Sequence, residues 1–260
     1  MLVLIPIAAF AVWSGGKVFV SMAAVACILL IFEWTRLVDG AEFSHGYFIL
    51  SITAIIAFFF AASGAHFWAL SICLLGGAFG ALVEKLQGSP SRWLWMGAIY
   101  VVSPCLLLVW IRELPEGLAL VIILFAAVWM TDIGAYVLGK IFGGPKFAPS
   151  ISPAKTWSGT LGGIASGFLS VFALSFILFD PNKPMRFLMI GIALAVATVS
   201  GDMIESAVKR RFGVKDSAGY IPGHGGLLDR LDGMLMATIM MAFTLWFFGS
   251  VLSSWPAVVK

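Results

Sequence analysis

Carboxylates and cations gather in two stretches of this chain, Trp129–Gly159 and Gly201–Gly233. The acids there are Asp132, Asp202, Glu205, Asp216, Asp229 and Asp232. Asp229 and Asp232 stand three apart, so on a helix they project from one face, and Asp202 and Glu205 repeat that spacing. Carboxylates brought together beside basic residues suit Mg²⁺, a hard ion that takes oxygen ligands. Taken one at a time, each acid has a plainer use as the ion-pair partner of a neighbouring Lys or Arg. As a set they point to a metal.

The cations have their own pattern. Lys209, Arg210, Arg211 and Lys215 form a basic run, interleaved with acids and glycines. Attraction to anionic lipid explains the sign of such a run but not the acids within it. A polyphosphate with its metal explains both. Pro222-Gly223-His224-Gly225-Gly226 is a turn that lets backbone N–H groups approach an anion. His224 could touch a phosphate or move a proton, although a histidine in such a turn is more often structural. Ser152-Pro153-Ala154-Lys155-Thr156 has side chains suited to phosphate, but the GxxxxGK[ST] spacing of a P-loop is absent.

These stretches need a scaffold, and composition says which kind. The 260 residues are 61% hydrophobic and 11% charged, with a mean hydropathy of +1.03. Soluble domains are about 45–50% apolar and about 25% charged. A soluble globule could not hide this much apolar surface, so the expected class is all-α, a polytopic transmembrane helical bundle. Apolar runs long enough to approach the roughly 20 residues of a membrane crossing fall at about 2–13, 18–36, 46–63, 66–83, 95–111, 117–138, 159–179, 186–204 and 233–252. The expected division is an N-terminal set of helices over 1–116 and a C-terminal set over 117–260, the latter carrying polar segments 139–158 and 205–232. Asp132 and Asp202 then lie near helix ends, where an ionisable group usually faces a bundle interior or a watery cavity.

Alternation of the nine runs puts Arg36, Lys85, Arg92, Lys140, Lys146, Lys155, Lys209, Arg210, Arg211, Lys215 and Arg230 on one side. The other side holds Lys17, Arg112, Lys183, Arg186 and Lys260. The positive-inside rule makes the first side cytoplasmic, with the N-terminus inside. Gly159, Gly162, Gly163 and Gly167 are spaced for close helix packing. Cys27, Cys73 and Cys105 each lie in an apolar stretch with no zinc-type spacing, and read as small core residues. The net charge of +3 is too small to imply nucleic acid. No cleavable signal peptide is expected, because no basic residues precede the first apolar run.

The string Ser206–Asp232, SAVKRRFGVKDSAGYIPGHGGLLDRLD, resembles the phosphatidate cytidylyltransferase (CDP-diacylglycerol synthase) family. It meets every fixed position of S-x-[apolar]-K-R-x4-K-D-x-[small]-x2-[apolar]-P-x-H-G-G-x2-D-R-x-D. Upstream, W-x2-D-x2-A-Y-x2-G-K from Trp129 and S-P-x-K-T-W-x-G from Ser152 are also similar to the family. Two departures stand out. Ser158 occupies a place where the family commonly has Glu, and the usual basic residues ahead of the first helix are missing.

The resemblance implies that phosphatidate and CTP yield CDP-diacylglycerol and pyrophosphate. It implies Mg²⁺ held by Asp202 and Asp229 with Asp232 and Asp132 close behind, room for a second metal ion, and catalytic roles for Asp202, Asp229, Asp232, Lys209 and Arg210. Ser152, Lys155, Thr156, Lys215, Asp216, His224 and Arg230 would bind the substrates. It further implies a homodimer. A bacterial inner membrane with a cytoplasmic site is the expected location. Two rivals remain at this level: a CTP-using polyprenol or dolichol kinase, and a transporter. The absence of an internal repeat and the one-sided charge weigh against the transporter.

Overall fold

A computed structural model describes residues 4–88, 92–179, 184–215, 217 and 226–252. Among these residues there are nine helices: α1 (Leu4–Ser14), α2 (Gly16–Asp39), α3 (His45–Ala62), α4 (His66–Leu86), α5 (Arg92–Glu113), α6 (Gly117–Phe142), α7 (Trp157–Leu178), α8 (Pro184–Arg211) and α9 (Leu228–Leu252). Eight are long and apolar enough to cross a bilayer. The chain is a polytopic helical membrane protein. The first apolar run does form a helix, α1, but its 11 residues rise only about 16 Å. Side assignments counted from α2 onward do not depend on it.

The helices extend past their apolar runs at the polar ends. The run 186–204 becomes a helix that continues to Arg211, and the run 233–252 becomes one that starts at Leu228. Asp202, Glu205, Lys209 and Arg210 are therefore helical, and Asp229 and Asp232 lie at the start of α9. Segment 139–158 is no simple loop either. Lys146–Ala148 (β1) pairs antiparallel with Ser152–Thr156 (β2), in register Lys146 to Thr156 and Ala148 to Ser152.

Contacts divide the chain into two compact units. The first comprises Met1–Leu114 and Phe212–Arg230, the second Pro115–Arg211 and Leu231–Lys260. In the first unit, buried Trp34 donates from Nε1 to the Trp93 carbonyl at 3.0 Å. Helix α5 contains a π-helical turn, Ala98–Val102, just before Pro104. Proline has no N–H to offer the preceding turn, and Ser103 Oγ donates to the Ile99 carbonyl at 2.6 Å there.

The second unit is built on glycine contacts. A side chain at Gly159 would meet the Ala135 carbonyl at 2.7 Å, and one at Gly163 the Thr131 carbonyl at 2.6 Å. Small residues let α6 and α7 touch backbone to backbone, as their spacing suggested. The same device seats α8 on α9, where a Cβ on Gly201 would collide with the backbone carbonyl of Asp232. This approach sets Asp202, one residue along, beside Asp232. Gly201→Val is expected to lower the stability of the detergent-solubilised protein by about 1–3 kcal/mol. A lowered thermal midpoint would show it; an unchanged one would mean that α8 and α9 yield here without cost.

Candidate active site

Three helices and the hairpin of the second unit bring the charged residues together. Asp132 is on α6, Asp202 on α8 and Asp232 on α9. Their charges act on one another, and Lys155 acts on all three. Lys155 reaches from β2 and pairs with Asp202 Oδ2 at 2.5 Å. The other oxygen of Asp202 accepts from Ser206 Oγ at 3.3 Å, one helical turn on. Asp232 Oδ1 accepts from the N–H of Gly233 at 2.6 Å.

The hairpin is tied down at both ends. Thr156 Oγ1 caps α7 by accepting from the N–H of Gly159 at 3.2 Å, and it bonds Ser158 Oγ at 3.1 Å. Such a cap satisfies an N–H that has no partner within the helix. Ser158 also donates to the Gly143 carbonyl, joining the end of α6 to the start of α7. The Ser158 hydroxyl thus has a definite task at the place where the family commonly has Glu. At the hairpin's turn, the Ile151 carbonyl accepts from Arg210 Nε at 3.3 Å. Arg210 therefore braces the strand pair that carries Lys155. Lys209 pairs with Glu205 at 2.7 Å, and Glu205 is only 1% exposed. Ser152 opens β2 and is half-buried.

The first unit holds a second polar cluster. Asp229, in the first turn of α9, accepts from the N–H of Gly226 at 2.9 Å and that of Ser217 at 3.2 Å. Arg230 follows it in the helix, and Lys215 is exposed. Asp216 and His224 lie outside the described residues.

Sequence reasoning missed Glu33. It is buried on α2 and accepts from Ser217 Oγ at 3.1 Å, Leu227 N–H at 2.8 Å and Leu228 N–H at 2.7 Å. The one local signal was an acid inside an otherwise apolar run, Ile31-Phe32-Glu33-Trp34.

Carboxylate oxygens are the donor chemistry that a hard divalent cation takes. Mutual repulsion among Asp132, Asp202 and Asp232 gives such a cation an electrostatic reason to bind. Among the described residues, however, no three His, Cys, Asp or Glu side chains are drawn into a ligand group. One oxygen of Asp202 is occupied by Lys155. The donor set fits Mg²⁺ in kind, with Lys155 in the place of part of its charge.

Apolar helices with acids and cations at their polar ends define a polytopic membrane protein. The model of the Cytidylyltransferase family matches residues 1–248, and the chain belongs to that family. It is similar to the phosphatidate cytidylyltransferase of Brucella suis biovar 1 (strain 1330), at 34% identity over 244 residues, covering 92% of this chain and 87% of the relative. The phosphatidate cytidylyltransferase of Pseudomonas aeruginosa is 37% identical over 158 residues, 60% of this chain and 58% of that one. That of Staphylococcus haemolyticus is 43% identical over 121 residues, 46% of each chain.

Proposed function

We propose that this protein transfers CMP from CTP to phosphatidate, forming CDP-diacylglycerol and pyrophosphate. Family membership over nearly the whole chain is the observation that carries the reading. A phosphate oxygen of phosphatidate attacks the α-phosphorus of CTP. The new P–O bond replaces the one to the bridging oxygen, which leaves with pyrophosphate. The nucleophile is already an anion, so no strong general base is needed, and catalysis is mostly positioning and electrostatic stabilisation.

In this reading Lys155 receives phosphate charge, and its pairing with Asp202 holds the ammonium ready. Arg210 keeps Lys155 in place through the Ile151 carbonyl. Lys209 is oriented by Glu205. Of the four aspartates expected as its ligands, Asp132, Asp202 and Asp232 would hold Mg²⁺, which when bound neutralises charge on the triphosphate. Asp229 serves at the start of α9, accepting from Ser217 and Gly226. Ser152 and Thr156 line the approach along β2, and Lys215, Asp216, His224 and Arg230 contact the substrates. The protein works in a bacterial inner membrane, as a homodimer, with this site on the cytoplasmic side; the one-sided distribution of Lys and Arg supports that orientation.

The direct test is pyrophosphate release by detergent-purified protein given CTP, phosphatidate and Mg²⁺, each omitted in turn. Release is expected only with all three, with CDP-diacylglycerol in equal amount, and EDTA should abolish it. CDP in place of pyrophosphate would instead mean γ-phosphate transfer to a lipid alcohol. No nucleotide turnover with any lipid acceptor would reject the reading.

A further inference from the structure

Glu33 is 8% exposed and sits among apolar residues of α2. Burying a carboxylate is costly unless charge-assisted hydrogen bonds replace its water. Three donors do so, and none is near it in sequence: Ser217 Oγ, Leu227 N–H and Leu228 N–H. The two N–H groups belong to the start of α9, where helical donors lack partners within the helix and the dipole favours a negative charge. Gly226 closes the arrangement. A side chain there would strike Ser217 Oγ and lie 2.6 Å from Glu33 Oε2.

One carboxylate from a distant helix therefore holds Ser217, Leu227 and Leu228. Asp229 spans the same two points through the N–H groups of Ser217 and Gly226. Satisfying the helix end alone would need only a local Ser or Asp cap. The reach from α2 adds a fixed separation between Ser217 and the first turn of α9.

We propose that Glu33 is a positioning residue of the transfer reaction: by joining Ser217 to the start of α9, it fixes the setting of Asp229. Its kinetic consequence rests on the CMP-transfer reading; the tie itself does not. Glu33→Gln keeps the shape but turns an amide NH₂ toward backbone donors. In the full-length enzyme, Glu33→Gln is expected to lower kcat about 10²-fold, with KM for CTP and phosphatidate little changed, and to speed amide exchange at Leu227 and Leu228. Ser217→Ala removes one arm and should cause a smaller loss. The double variant should be no worse than Glu33→Gln alone, because the two residues act through one tie. Wild-type kcat and unchanged exchange in Glu33→Gln would overturn the proposal, as would fully additive losses in the double variant. If Glu33→Gln does not fold, Ser217→Ala decides: a lower kcat with faster exchange supports the tie, and neither change overturns it. If the wild-type protein releases no pyrophosphate, the CMP-transfer reading fails, and amide exchange in the same variants still decides on the tie.

Discussion

Asp202→Asn is expected to lose about 10³-fold in pyrophosphate release, near the upper end for removing one preorganised electrostatic group from an active site. The substitution keeps the shape and removes the charge, and that charge has two uses. It holds the Lys155 ammonium at 2.5 Å, and it joins Asp132 and Asp232 in one electrostatic group. With Asn there, Lys155 loses its orienting partner and the carboxylates proposed for Mg²⁺ fall from three to two. The Mg²⁺ concentration giving half-maximal rate should therefore rise together with the fall in kcat. The pair is partly exposed, so stability should change little. Raised Mg²⁺ demand with normal thermal behaviour would support the assignment. A near-normal rate would remove Asp202 from the centre of the mechanism.

Asp229→Asn should abolish turnover while leaving expression intact, for a different reason. Both N–H groups that Asp229 binds need an acceptor. Oδ2 accepts from both, so an amide oxygen in its place can keep the two bonds, but it loses the charge that strengthens them and puts an NH₂ where Oδ1 also accepts from Ser217. The link from the start of α9 to Ser217 would weaken, and with it the setting of Arg230. Asp229→Glu keeps the charge but lengthens the arm, so it should recover little activity. The measurement is single-turnover CMP transfer with both variants, beside amide exchange at Ser217 and Gly226. Fast transfer by Asp229→Asn would show that the link is not needed for chemistry.

These two aspartates show how far a linear reading reaches. Spacing marked both as functional and put Asp229 and Asp232 on one helix, because neighbours at three residues are a local property of any helix. The apolar runs marked the helices, since a bilayer leaves the backbone few other choices. The glycines of α7 announced close packing, and Gly159 and Gly163 meet the carbonyls of α6. The signature string Ser206–Asp232 pointed to the family to which the chain belongs.

What lay beyond the sequence are the tasks that need a partner far along the chain. Nothing local says that Lys155 meets Asp202 or that Arg210 braces the Ile151 carbonyl. The apolar runs likewise stop short of the helix ends, because hydropathy stops counting where charge begins, whereas backbone hydrogen bonds continue α8 to Arg211 and start α9 at Leu228. Glu33 is the clearest case. Its bonds to Ser217, Leu227 and Leu228 span at least 184 residues of chain. Composition and periodicity act over a few residues and determined that this chain enters a membrane as helices. Which polar groups then satisfy one another was decided by helix packing, since a buried charge takes whichever donors the tertiary fold carries to it.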